Sequence, residues 1–236
     1  VEFMKHMVIT IGCEYGAGGP QIGRFIADAL GIEFYDRDIV DKVVEETGVS
    51  RDLVEKTDVD ANVKYEVDTS LGPRYLNLTN RVIYVQFDVI RQMAEKSSCV
   101  IIGRCADYIL KERKDTLKVF LYAPKETRIR SVMELEHLSR DEAEKRVAYY
   151  DENEHVRYKY MTGTYRGDRN NRDILLNSAL LGWEKTAKYL LQLIELRYGE
   201  GTPDTGSSAM ALTDGRLCAL CPPAFFCALL AVRNRS

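Results

Sequence analysis

The sequence predicts an α/β domain built on a five-stranded parallel sheet with helices on both faces. Three observations predict it. Five short apolar runs recur along the chain, at Met7–Ile11, Ile32–Tyr35, Cys99–Ile102, Leu117–Tyr122 and Asp173–Asn177. Helical stretches separate them, and such alternation builds a parallel sheet with right-handed crossovers. A glycine-rich turn joins the first run to the first helix, which is where an α/β domain binds phosphate.

Met7, Val8, Ile9 and Ile11 suit a strand buried on both faces. Gly16, Ala17, Gly18 and Gly19 follow, and glycines allow backbone N–H groups to turn inward around an anion. A helix opening at Pro20, with Ile22, Phe25, Ile26 and Leu30 inward, aims its positive end at the same place. The loop has Gly19 and Pro20 where GxxxxGK[ST] has its Lys and hydroxyl residue, so a cation must come from elsewhere. Arg24, one turn after Pro20, is the first candidate.

After the second strand, Asp36 is placed to cap a helix carrying Ile39, Val40, Val43 and Val44. Ser50 restarts a short helix, and Asp58–Pro73 reads as a polar surface loop ending in Leu71-Gly72-Pro73. Leu78, Val82, Val85, Val89 and Met93 predict a long helix over Tyr75–Lys96, which also carries Arg81 and Arg91. Gly103-Arg104 stands beyond the carboxyl end of the third strand, where open sheets bind ligands.

The stretch from Lys125 to His137 predicts a helix bearing Arg128 and Arg130, and Ser139 and Glu142 have capping-box spacing for a second. The second helix carries Arg140, Lys145, Arg146, Arg157 and Lys159, with tyrosines between them. Two readings stand: a solvated surface with pairs such as Glu142–Arg146, or a lid over polyphosphate. The polar loop Gly163–Asn171 leads to the fifth strand, and the last helix spans Trp183–Tyr198 with Trp183, Leu190, Leu191, Leu193 and Ile194 inward.

The chain has 236 residues, 45% of them apolar, and a formal net charge of −3, a balance unlike domains that coat nucleic acid. No secretory leader pattern is present, so a cytoplasmic protein is expected, with no nucleic-acid or membrane partner. Residues 1–6 read as a non-native remnant and leader, 7–198 as the domain, and 199–236 as an unstructured or non-native tail. The tail's apolar run is broken by Pro222-Pro223 and is too short to span a bilayer. Of six cysteines, Cys13, Cys99 and Cys105 read as small buried hydrophobes. Cys218 and Cys221 have zinc-like spacing without enough further ligands, and no metal set is assigned.

ITIGCEYGAGGPQIG, FYDRDIV, CVIIGRCADYIL and DILLNS, in that order, resemble the cytidylate kinase-like family of P-loop proteins, relatives of the nucleoside monophosphate kinases. The resemblance covers about Met7–Tyr198. It implies a P-loop kinase-like three-layer fold with a helical lid, a hairpin over about 125–162, and ATP- and Mg²⁺-dependent phosphoryl transfer to CMP or dCMP. It places the donor phosphates on Gly16, Ala17, Gly18 and Gly19, with Arg128 and Arg130 beside them. Under it Asp36, Arg37 and Arg104 fall to the acceptor, and Arg146, Arg157 and Lys159 to the lid around Asp151. Position in the sequence alone adds Arg24 to Arg146 and Arg157 as catalytic candidates, and Arg81, solvated or facing a ligand, to the acceptor set.

Relatives commonly carry Arg where Pro20 stands, and around Asp151 the lid arginine positions hold Val147 and Glu154. A nucleotide-binding sensor or partner with little transferase activity is therefore the second reading. Oligomeric state, including a homo-oligomer, is open.

Overall fold

The structure is a computed structural model that describes residues 6–59 and 73–199. Outside the described residues lie 1–5 of the leader expected over 1–6, 60–72 of the polar loop expected over 58–73, and 200–236 of the tail expected over 199–236, with Cys218 and Cys221.

The sheet forms from β1 (Val8–Cys13), β2 (Glu33–Tyr35), β3 (Cys99–Ile102), β4 (Thr116–Tyr122) and β5 (Ile174–Asn177) in the order β2-β3-β1-β4-β5. Every pairing is parallel, and Ile11 lies beside Ile102 on one side and Val119 on the other. Strand β1 is central because both of its faces are apolar: Val8, Ile9 and Ile11 are all 0% exposed.

One face packs Ile9, Ile11, Val119 and Leu121 against α1 (Gly19–Leu30) and α8 (Trp183–Tyr198). The other packs Val8, Cys99 and Ile101 under α2 (Asp38–Thr47), α3 (Arg51–Val59) and α4 (Pro73–Lys96). Each large aliphatic side chain so buried contributes about 1.5–3 kcal/mol. A third cluster joins α6 (Lys125–Glu136) to α7 (Arg140–Thr162) through Ile129, Val132, Ala143 and Val147, with Tyr15 packed on it. This helix pair is the hairpin expected over about 125–162. Ser139 and Glu142 form the expected capping box.

The chain fills the β2 side of the sheet before crossing to the β4 side. The switch point sits at the carboxyl ends of β1, β3 and β4, where a crevice opens.

Several expectations are corrected. Phe25 is 37% exposed, turned off the buried stripe of α1. Asp36 does not cap α2; Arg37 holds that place, because the Asp36 carboxylate is drawn to Arg104. The helix at Ser50 runs on through Val59, and α4 begins at Pro73. Arg146 pairs with Glu136 rather than Glu142, whose carboxylate is taken by the cap. A short helix, α5 (Ala106–Ile109), follows β3, four residues being too few to show a period. Cys13 is half-buried where burial was expected. No helix among the described residues is long and apolar enough to cross a membrane.

Candidate functional site

The loop between β1 and α1 is built by its glycines. Gly16 and Gly18 have φ of +82° and +85°, values that favour glycine. A side chain at Gly16 would meet the Arg128 carbonyl at 2.7 Å, and one at Gly18 would enter the Trp183 indole. Pro20 lies in the first turn of α1, where its missing N–H has no helical partner to lose. The Gly16 and Gly18 amides have no acceptor among the described residues, which leaves donors for an anion at the positive end of α1.

Neighbouring elements hold the rest of the loop. The Tyr15 amide donates to Asp151 Oδ1 at 3.1 Å, and Arg128 Nη1 donates to the Tyr15 carbonyl at 3.1 Å. Arg128 also meets Asp151 Oδ2 at 2.5 Å and Glu14 Oε2 at 3.1 Å. Glu14 accepts the Ala123 amide, and Ser178 Oγ donates to the Ala17 carbonyl at 2.7 Å. Arg128, expected on a phosphate, is thus 7% exposed and spent on the loop itself, as is Asp151.

The loop floors a cavity of about 590 Å³ whose cationic walls are Arg37, Arg104, Arg157 and Arg166. Arg104 follows Gly103 in a left-handed run, φ +62°, +50° and +56° through Cys105. Such backbone costs about 1–2 kcal/mol per non-glycine residue. It folds Arg104 back over the end of β3, with Nη1 3.2 Å from Asp36 Oδ1. Arg157 is 2% exposed and donates from Nη2 to Gln86 Oε1 at 2.7 Å. Arg166 donates to the Cys13 carbonyl and stands 3.7 Å from Glu154.

Val132, Leu135 and Tyr150 add apolar surface to the lining. Tyr150 stacks on Tyr15 at 4.2 Å with 4° between the rings. Burial, and then the Glu136 carboxylate that the Tyr15 hydroxyl meets, push that phenol's pKa up. The same Glu136 raises the pKa of Arg146. Burial pushes the Cys13 thiol up to about 11 despite Arg166 nearby. A cleft whose lining combines arginines, free loop amides and an aromatic ring suits a phosphorylated ligand with a planar base.

The remaining predicted cations lie elsewhere. Arg24 is exposed, its guanidinium 3.9 Å over the Phe34 ring, because a helical turn of about 5.4 Å carries it past the loop. Arg81 and Arg130 are exposed and do not line the cleft, Arg130 bonding the Glu126 carbonyl. Lys159 is exposed over the Tyr165 ring. Arg146 is tied to Glu136 outside the lining.

One residue of the cleft wall, Arg166, and one that holds a wall residue, Gln86, were not singled out by the sequence pattern. Arg166 sat in a loop read as polar, although Gly163 and Gly167 on either side marked a bent backbone. Gln86 lay four residues after Val82 and three before Val89, a polar side chain on the buried stripe of α4.

The described residues do not form a metal site: no group of three His, Cys, Asp or Glu side chains converges. Asp36 and Glu154 each already face an arginine.

The model of the cytidylate kinase-like family matches residues 8–180. The chain belongs to that family. Two curated relatives are cytidylate kinases: that of Methanopyrus kandleri is 27% identical over 202 residues, 82% of this chain and 95% of its own. That of Thermococcus sibiricus is 26% identical over 206 residues, 87% and 95% of the two chains. Among solved structures, an uncharacterized protein from Eubacterium ventriosum superposes with a TM-score of 0.61 at 23% identity, over 80% of this chain and 98% of that one. The fold is thus the P-loop kinase-like three-layer one, and the family is one of nucleotide kinases.

Proposed function

We propose that the protein transfers the γ-phosphoryl group of ATP to a nucleoside monophosphate, CMP or dCMP. The observation that carries this reading is the convergence of Arg37, Arg104, Arg157 and Arg166 with the glycine loop in one cleft. Phosphoryl transfer needs positioning and charge neutralisation more than covalent help from the protein. An oxygen of the acceptor phosphate attacks the γ-phosphorus, and the bond to the ADP oxygen breaks. The acceptor phosphate is already ionised, so no general base is required.

In this reading the Gly16 and Gly18 amides receive donor phosphate oxygens. Arg104, held by Asp36, and Arg37 receive the acceptor phosphate. Arg157 and Arg166 face the phosphoryl group in flight and take over the charge of the absent loop Lys. Mg²⁺ enters with ATP as its counter-ion, and no protein ligand is assigned to it. A base packs on the apolar surface beside Tyr150.

One observation favours binding without turnover. Glu154 lines the cleft and shares Arg166, so it opposes the charge that transfer builds up. A coupled ADP-release assay on the full chain, with ATP, Mg²⁺ and each of CMP, dCMP, UMP and AMP, decides between the two. Release that depends on CMP or dCMP supports the kinase. Silence with all four, while calorimetry detects ATP binding, supports the sensor.

A further inference from the structure

A second cavity of about 310 Å³ lies beside the sheet, lined by Lys111, Lys118, Thr164, Asn170 and Asn171 and sharing no residue with the nucleotide cleft. Helix α7 separates the two: Arg157 lines the cleft and its neighbour Tyr158 lines the second cavity. Lys118 comes from β4, between Leu117 and Val119 of the opposite core, so alternation turns it to this side.

The cavity's one carboxylate is already neutralised. Asp107, 8% exposed at its side chain, accepts from the Tyr158 hydroxyl at 2.6 Å and pairs with the buried Arg172 guanidinium. The lysines are not compensated in that way. Lys118 is half-buried, and its ammonium makes no ion pair among the described residues. The nearest carboxylate to Lys111 is Glu112, 3.9 Å away and 91% exposed, a contact too solvated to count. Amide and hydroxyl groups complete the wall, with Asn171 Nδ2 already ordered by Thr164 Oγ1 at 3.1 Å.

We propose that this cavity binds a phosphate dianion, free or as a small phosphate monoester. Two ammonium groups act as point charges and suit a tetrahedral dianion, whereas a planar carboxylate is better met by an arginine fork. The volume is at the small end of ligand pockets, about 300–1,000 Å³, and admits a phosphate with a small body. The site does not depend on the kinase reading.

The test is an NMR titration of ¹⁵N-labelled full-length protein with inorganic phosphate and separately with glycerol phosphate, at ionic strength held constant with chloride. Side-chain amide signals of Asn170 and Asn171 report this cavity, and backbone signals of Gly16 and Gly18 report the cleft. The Asn signals are expected to saturate with their own midpoint. Lys118→Met and Lys111→Met are each expected to raise that midpoint about tenfold or more while leaving the Gly16 and Gly18 response in place. A lower midpoint for glycerol phosphate assigns an organic monoester, and equal midpoints assign free phosphate. Asn signals that do not move, or a midpoint indifferent to both substitutions, overturn the proposal. Should Lys118→Met fail to fold, Lys111→Met at its exposed position decides alone.

Discussion

Asp151, in the middle of α7, accepts a hydrogen bond from the backbone amide of Tyr15 at 3.1 Å and so fastens the α6–α7 hairpin to the loop between β1 and α1. Arg128 completes the link by bonding both the Tyr15 carbonyl and the Asp151 carboxylate. Arg128→Met removes the cation from between two carboxylates, Glu14 and Asp151. Broken buried pairs cost about 3–5 kcal/mol, and the partial exposure of these carboxylates sets the lower end. The urea midpoint is expected to fall by that amount with the slope unchanged. A midpoint within error of wild type would remove Arg128 from the loop's support.

Gly18→Ala is expected to disturb loop and helix together. The residue has φ +85°, and the new methyl would enter the Trp183 indole. Backbone strain alone costs about 1–2 kcal/mol. Trp183 is the chain's single tryptophan, so its emission reports the displacement without labelling. The expected outcome is a red-shifted emission and weaker ATP binding; an unchanged spectrum with full ATP affinity contradicts it.

Arg104→Met and Arg166→Met are expected to separate the two nucleotides. A lost hydrogen bond to a charged group costs about 1.5–3 kcal/mol, roughly ten- to a hundredfold in affinity. Calorimetry with each nucleotide alone is expected to show that loss for the monophosphate in the Arg104 variant and for ATP in the Arg166 variant. Equal losses for both ligands in both variants would deny any division of labour between the arginines.

Cys13 is expected to resist alkylation at neutral pH although it lines the cleft. Its pKa of about 11 leaves about one thiolate in a thousand at pH 8. Labelling by iodoacetamide, read by peptide mass, is expected to rise about tenfold per pH unit up to pH 10. The folded pKa lies above the unfolded value of 9.0, so the neutral thiol favours the fold. That contribution is fully present below pH 9 and is lost as pH rises through 11. Reaction at pH 8 as fast as a free cysteine would contradict the raised pKa.

Sheet and loop were legible because their causes are local. A strand covered on both faces must be apolar throughout, as Val8, Ile9 and Ile11 are, and a loop that turns its amides inward needs residues like Gly16 and Gly18. Arg104 was legible because a strand end with a preceding glycine fixes where the chain is. The directions of the other cations were not. Arg128 and Arg157 come from the same cation-rich hairpin, yet one props up the loop and the other lines the cleft. That choice depends on Asp151, Glu14 and Gln86, which are 23, 114 and 71 positions away, so no sequence window contains it. Arg24 failed for a related reason: periodicity places a residue on a helix face but not opposite the mouth of a site.

The double hold on Tyr15 makes the loop and the hairpin one thermodynamic unit. If an anion seated on Gly16 and Gly18 strengthens the Tyr15–Asp151 bond, the hairpin is stabilised by the same free energy that the anion gains. Anything that draws α7 away must weaken anion binding by the same factor, because linkage between two equilibria has no preferred direction. Affinity for such an anion can therefore change through substitutions confined to the outer surface of the α6–α7 pair, with no contact to the ligand.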